Sequence, residues 1–181
     1  MMVFDPFISI FIRAGFALLF ALTALHKLRD LAAFKTVISG YNIAPQKLVP
    51  LLGLGLPTIE LSIAILLIAY PLLGVLGAGA LLGFYALLMA FNIARGHVHI
   101  DCGCFWGSAK AEFASLTWGQ AVRNVLLVAI LLLALMPSSD RAFTGVDGVN
   151  IVLGLGFAYI AIKAGSTLMA VRRRMQEFGH A

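Results

Sequence analysis

Long, almost unbroken runs of apolar residues constrain the fold of this chain more than any other feature of its sequence. Five such runs cover residues 7–25, 48–70, 72–94, 120–136 and 149–170. Each is close to the length of about 20 residues that an α-helix needs to cross a bilayer. A water-soluble fold of 181 residues could not bury a chain that is 61% hydrophobic and 12% charged. The sequence therefore predicts an all-α, polytopic membrane helical bundle.

The order of the runs predicts two parts. Residues 1–136 form a four-helix transmembrane core whose third and fourth helices are joined by a loop at 95–118. Residues 137–181 add a fifth transmembrane helix and a basic tail. Between the first two runs, apolar residues of the segment 26–47 recur at helical spacing, which predicts a short amphipathic helix at the membrane interface.

Both cysteines of the chain lie in the loop, as Cys102-Gly103-Cys104. Two cysteines at this spacing can form a disulfide, and a small strained disulfide is easily reduced. Neighbouring cations favour the reactive thiolate. The candidates for that role are Arg95, His97, His99 and Arg123. The pattern favours a thiol–disulfide oxidoreductase with Cys102 and Cys104 as its catalytic residues. No haem or flavin motif is present, and a membrane quinone is the candidate electron partner.

Two other interpretations of the loop remain open. His97, His99, Cys102 and Cys104 supply two imidazoles and two thiolates, a ligand set that suits tetrahedral zinc or copper(I). In that case the chain is a metal-binding or non-enzymatic assembly subunit of a membrane complex. In the other interpretation, both cysteines are inert buried thiols.

Two aromatic residues, Phe105 and Trp106, directly follow the cysteine pair. Exposed aromatic residues beside a reactive site are typical anchors for a docking protein, so we predict that Phe105 and Trp106 bind a partner protein. The alternative is that both rings lie in the lipid interface.

Arg13 and Glu60 are charged residues inside predicted spans, where an isolated charge is costly and usually has a partner. At 1.5 Å per residue, they lie about 9 Å and about 15 Å below the same membrane face. We therefore predict an Arg13–Glu60 ion pair that fixes the register of the first two spans. A proton or quinone site is the functional alternative.

Lysine and arginine residues are distributed unevenly between the two sides that five spans define. Ten lie on the side of the cysteine loop, and Arg141 alone lies on the other. By the positive-inside rule, the loop is predicted to be cytoplasmic, in a bacterial inner membrane. The same side is predicted to carry polar residues that support the site. They are Lys27, Asn92, His97, His99, Arg123 and Asn124. Topology accounts for the positive charge, so no nucleic-acid binding is predicted.

The order of polar and cysteine residues along the chain resembles a known family. The residues concerned are Arg13, His26-Lys27-Leu28-Arg29-Asp30, Phe34, Tyr41, Pro45, Pro57, Glu60, Cys102-Gly103-Cys104-Phe105, Trp118 and Arg123-Asn124. Over about residues 7–136 this pattern is similar to the MauE family of DoxX-like membrane proteins. Typical members read Cys-Gly-Cys-Phe-Gly, whereas this chain has Trp106 before Gly107.

The resemblance implies a four-helix core and a role in methylamine utilisation or a related maturation pathway. Such proteins are thought to help form or deliver disulfides in a periplasmic client, usually with a thioredoxin-like companion. Cys102 and Cys104 would then be the redox pair. Arg13, Lys27, Glu60, Arg123 and Asn124 match polar positions typical of the family. This role implies a periplasmic loop, whereas the charge distribution predicts a cytoplasmic one.

Overall fold

Four helices of the chain are long and apolar enough to cross a membrane. The computed structural model describes residues 5–98, 116–137, 139 and 141–178, and most side chains beyond residue 161 lie outside that description. The four candidate spans are Pro6–Arg29, Gln46–Ala69, Pro71–Ala94 and Trp118–Leu135. They confirm the prediction of an all-α, multi-pass membrane protein.

Six α-helices and two short 3-10 turns make up the described secondary structure. The helices are α1 (Pro6–Arg29), α2 (Leu31–Gly40), α3 (Val49–Ala69), α4 (Pro71–Ala94), α5 (Trp118–Leu132) and α6 (Gly145–Phe178). The 3-10 turn Gln46–Leu48 leads into α3, and the turn Leu133–Leu135 continues α5. The short helix α2 lies within the segment for which the sequence predicts an interfacial helix.

Aspartates set two of the helix boundaries. The Asp5 carboxylate accepts a hydrogen bond from the backbone N–H of Phe7 at 2.9 Å and so caps α1, which opens with Pro6. Asp30 ends α1 and caps α2, because its carboxylate accepts a hydrogen bond from Ala33 N at 3.0 Å. One residue therefore separates the first span from the short helix that follows it.

The four spans form a ring in which α1 packs on α3, α3 on α4, α4 on α5, and α5 on α1. Consecutive spans run in opposite directions, so α2, residues 95–98 after α4 and residues 116–117 before α5 lie at the same end, here named the cysteine-loop end. Among the most buried apolar side chains are Phe20, Leu67, Val75, Ala78 and Leu131, all 0–1% exposed. Between helices in lipid, such packing acts mainly through van der Waals contact.

A close approach between α3 and α4 depends on Gly74. The two helices are joined by Tyr70 alone, and a Cβ atom at Gly74 would lie 2.4 Å from the backbone nitrogen of Leu67. Because a backbone atom cannot move aside as a flexible side chain can, this position accepts no side chain without a shift of the helices.

The fifth predicted span is not supported. The segment Ala142–Ala181 forms a compact unit of its own, and its helix α6 is 34 residues long. Among the residues that the structure describes, the apolar part of α6 is Gly145–Ala161. That part is shorter than the length of about 20 residues that a span requires. The sequence-based prediction counted apolar residues as far as residue 170, beyond the apolar part that the structure describes.

We predict that Gly74→Ala lowers the stability of the bundle by about 1–3 kcal/mol, the range for inserting atoms into a packed interior. Unfolding of the purified protein in mixed detergent, titrated with a denaturing detergent, measures the change. Gly79→Ala on the same helix is the matched control, because a Cβ at Gly79 meets nothing within 4 Å. The control variant should be as stable as the parent or more stable, and equal losses in both variants would contradict the assigned contact.

Candidate functional site

A buried ion pair joins α1 to α3. Lys27, in the last turn of α1, is 7% exposed, and Glu60, near the middle of α3, is 1% exposed. The Lys27 ammonium donates a hydrogen bond to Glu60 Oε1. The hydroxyl of Tyr85 on α4 donates to the same oxygen at 2.8 Å. One carboxylate oxygen therefore holds side chains from two other helices.

Two aromatic rings face the Lys27 ammonium. Its nitrogen lies 5.1 Å from the ring centroid of Phe34 on α2 and 5.1 Å from that of Tyr85. Each such cation–π contact stabilises a desolvated ammonium by about 0.5–2 kcal/mol. Lys27, Phe34, Glu60 and Tyr85 are named the Lys27 cluster, and they come from four successive helices.

The predicted Arg13–Glu60 ion pair is not formed among the described residues, because Glu60 pairs with Lys27 instead. Arg13 Nε donates to the carbonyl oxygen of Ser9, one turn earlier in α1, at 3.4 Å. The prediction was wrong because it measured depth from a common membrane face. The helix α2 packs on the first turns of α3, where Lys35 lies against Gly53. The end of α1 is thereby level with the middle of α3.

A second group of buried polar side chains lies at the cysteine-loop end of α4 and α5. Asn92 is 0% exposed and Asn124 is 2% exposed. Asn124 Nδ2 approaches the sulfur of Met89 at 3.8 Å, and Asn92 Nδ2 donates to the carbonyl oxygen of Leu88 at 3.0 Å. Both asparagines were predicted to support the site, and the structure places them at the same end of the bundle.

The helix α4 ends in a turn that directs the chain into the cysteine segment. Gly96 has a φ of +77°, which only glycine adopts readily. Gly96 N donates to the carbonyl oxygen of Ile93 at 3.0 Å, and His97 N to that of Asn92 at 3.0 Å. This pair of bonds is a Schellman motif. The His97 side chain, a predicted site residue, is exposed.

The two ends of the cysteine segment are held together. Leu116 N donates to the carbonyl oxygen of Val98 at 2.7 Å, so the segment 99–115 begins and ends at one place. Leu116 is 3% exposed and belongs to a cluster with Met89 and Ala121. The attachment point of the segment therefore lies beside the buried asparagines. The remaining predicted site residues, His99, Cys102, Cys104, Phe105 and Trp106, lie outside the described residues, and their roles stay predictions.

Three buried polar atoms have no hydrogen-bond partner within the described parts of the chain. They are Glu60 Oε2, Asn92 Oδ1 and Arg123 Nε. Buried polar atoms are nearly always paired, and an exception needs an explanation such as a ligand or a water molecule. The two oxygens accept hydrogen bonds, whereas the guanidinium nitrogen donates one. The bundle, from the middle of α3 to the cysteine-loop end, thus offers both kinds of polar contact.

Sequence reasoning missed Tyr85 and Phe34 as members of the site. A usable signal was present for Tyr85, because a tyrosine inside the apolar run 72–94 needs a partner for its hydroxyl. Phe34 carried no such signal, since a phenylalanine on a short amphipathic helix is equally consistent with contact to lipid.

We predict that Lys27→Met destabilises the protein by about 3–5 kcal/mol, because it leaves the buried Glu60 carboxylate unpaired. The double variant Lys27→Met with Glu60→Met should recover most of that stability, since both charges are removed together. Detergent-induced unfolding of the two variants and the parent measures the difference.

The exposed ion pair between Arg141 and Asp5, with nitrogen and oxygen 3.0 Å apart, provides the control. Arg141→Ala should cost less than about 1 kcal/mol. If Lys27→Met costs no more than Arg141→Ala, the Lys27–Glu60 pair does not stabilise the bundle as described.

Comparison with known proteins places these features in one family. A family model described as "Methylamine utilisation protein MauE" matches residues 5–137, which include all four spans and the cysteine segment. A relative named methylamine utilization protein MauE, from Paracoccus denitrificans, is 34% identical over 130 residues, covering 71% of this chain and 68% of the relative. Relatives of the same name from Methylorubrum extorquens and Methylophilus methylotrophus are 33% identical over 142 residues and 40% identical over 106 residues. These matches cover 76% and 57% of this chain, and 75% and 55% of the relatives. No solved structure matches the chain.

Proposed function

Because this chain belongs to the MauE family of methylamine utilisation proteins, we propose that it is a membrane thiol–disulfide redox protein acting through Cys102 and Cys104. Its role is to support disulfide formation or maturation of a partner protein in methylamine utilisation. The observation that carries the proposal is the position of the Cys-Gly-Cys sequence. It lies in a segment whose ends, Val98 and Leu116, are bonded to each other beside buried polar residues.

The reaction is a two-step thiol–disulfide exchange. The thiolate of one cysteine attacks a disulfide of the partner, a sulfur–sulfur bond forms between the two proteins, and one partner thiolate leaves. The second cysteine then attacks this mixed disulfide. The products are a Cys102–Cys104 disulfide and a partner dithiol, so the chain loses the two electrons that the partner gains. The reverse sequence oxidises the partner and reduces the pair.

The partner is proposed to be a thioredoxin-like protein or a disulfide-containing client. Phe105 and Trp106 provide apolar contacts beside the reactive sulfurs. Arg95, His97, His99 and Arg123 are the candidate cations that favour a thiolate in this region. The described residues of this set, Arg95, His97 and Arg123, all belong to the cysteine-loop end.

A membrane quinone would supply the two-electron exchange that returns the cysteine pair to its starting state, which makes the protein a quinone-linked oxidoreductase. The unpartnered buried atoms fit the polar groups of such a molecule. Arg123 Nε can donate to a carbonyl oxygen, and Glu60 Oε2 and Asn92 Oδ1 can accept from hydroxyl groups.

The side of the membrane on which the cysteine segment lies distinguishes two forms of the proposal. A periplasmic client requires a periplasmic segment, whereas the excess of lysine and arginine favours the cytoplasm. The structure weakens the charge argument, because Lys27 is neutralised by Glu60 inside the bundle. If α6 does not cross the membrane, the basic tail joins Arg141 on the other side. Labelling the cysteines in intact vesicles with a membrane-impermeant thiol reagent separates the two orientations.

The second candidate function is a metal-binding or non-enzymatic assembly subunit, with His97, His99, Cys102 and Cys104 as ligands. The observation that favours it is the closed base of the segment at Val98 and Leu116, which keeps both ends of the ligand-bearing sequence together. In this function the cysteines resist alkylation until a chelator removes the metal.

We predict that Cys104→Ser traps a mixed disulfide between Cys102 and the partner, or that Cys102→Ser traps one through Cys104, because neither variant can complete the second step. Non-reducing electrophoresis of membranes from cells that express the full pathway detects the adduct, and mass spectrometry identifies it.

The contribution of Phe105 and Trp106 to partner binding is tested in the cysteine variant that traps the mixed disulfide. Phe105→Ala with Trp106→Ala should lower the yield of adduct while leaving the alkylation rate by a small reagent unchanged. An unchanged yield would assign both rings to the lipid interface. Absence of any adduct in either cysteine variant would contradict the exchange mechanism and favour the metal or assembly function.

A further inference from the structure

We propose that Glu60 Oε2 anchors a neutral, hydroxyl-bearing ligand inside the helical bundle, with Asn92 Oδ1, nearer the cysteine-loop end, as a second acceptor. Glu60 and Asn92 are 1% and 0% exposed, and these two oxygens have no partner within the described residues. An acceptor withdrawn from water without a donor destabilises the folded protein. A ligand with hydroxyl groups removes that cost at both positions.

The charge balance of the Lys27 cluster determines the charge of the ligand. The Lys27 ammonium binds Glu60 Oε1 and faces the rings of Phe34 and Tyr85. Lys35, on the helix α2 that packs on α3, lies against Gly53, two turns before Glu60. Since Lys27 already neutralises the carboxylate, a bound cation would leave a net positive charge in a low-dielectric interior. A neutral donor completes the hydrogen bonding of Oε2 without adding charge.

The two acceptors lie at different levels of the bundle. Tyr85 contacts Glu60, and Asn92 lies seven residues further along α4. At 1.5 Å per residue, this is a separation of about 10 Å along the helix axis. A hydroquinone ring carries hydroxyl groups at opposite positions, so one molecule can donate hydrogen bonds at two levels. A short chain of buried water molecules offers the same hydroxyl chemistry.

A hydroquinone ligand rests on the proposed function and extends it, because Glu60 and Asn92 would then bind the quinol that exchanges electrons with the cysteine pair. The site itself is tested without thiol chemistry. In full-length protein that carries Cys102→Ser and Cys104→Ser, no exchange can occur, so failure of the binding site is distinguishable from failure of the redox reaction.

The first arm measures binding of decylubiquinol to this protein in lipid nanodiscs by titration calorimetry, with empty nanodiscs subtracted. The matched ligand is the dimethyl ether of the same compound, which has the same ring but donates no hydrogen bond. We expect the ether to bind at least about tenfold more weakly, the effect of losing a hydrogen bond to a charged group. Lys27→Met with Glu60→Met, and separately Asn92→Leu, should weaken decylubiquinol binding. Ser62→Ala, on an exposed position of α3, should not.

The second arm records the infrared O–H stretching bands of internal water, identified by their shift in oxygen-18 water. If decylubiquinol does not bind, and the water bands of the parent are lost in the folded Lys27→Met, Glu60→Met variant, then water is the molecule that donates to Glu60 Oε2. The proposal is overturned if the ether binds as tightly as decylubiquinol. It is also overturned if neither compound binds and the water bands are the same in parent and variant.

Discussion

A charged pair inside a membrane bundle limits where the helices around it can lie. Removing Lys27 and Glu60 from water is costly, and the cost is offset only while carboxylate, ammonium, hydroxyl and aromatic rings keep their contacts. Those contacts come from α1, α2, α3 and α4. A shift of any one of these helices by a single turn would break at least one of them. The pair thereby fixes the register of the bundle in a way that apolar packing in lipid does not.

This register determines what lies beneath the cysteine segment. Tyr85 is part of the Lys27 cluster, and further along the same helix Met89 contacts Asn124 and Asn92 precedes the Schellman turn at Gly96. The Val98–Leu116 hydrogen bond then closes the base of the segment. The helix α4 therefore carries, one after another, a contact to the buried charges, a contact to Asn124, and the point where the segment that carries Cys102 and Cys104 begins and ends.

Features that depend on neighbouring residues in the sequence are predicted well for this protein, and contacts between distant residues are predicted poorly. Four spans are predicted within a few residues, because lipid requires long apolar helices. The partner of Glu60 was assigned to Arg13 because residue counting cannot show that α2 packs against the first turns of α3. Tyr85 was overlooked because its hydroxyl contributes little to an apolar pattern. The apolar run after residue 149 was counted as a span, although the described apolar part of α6, Gly145–Ala161, is shorter than a span.

The redox state of the cysteine pair tests the central claim most directly. Protein purified without reductant is exposed to a mild oxidant or a quinone, alkylated, digested and analysed by mass spectrometry. The account predicts that the peptide with Cys102 and Cys104 is unalkylated and lighter by two hydrogen atoms than its reduced form, and that a dithiol reductant restores two alkylatable thiols. Thiols that stay free and reactive under every oxidant would contradict it.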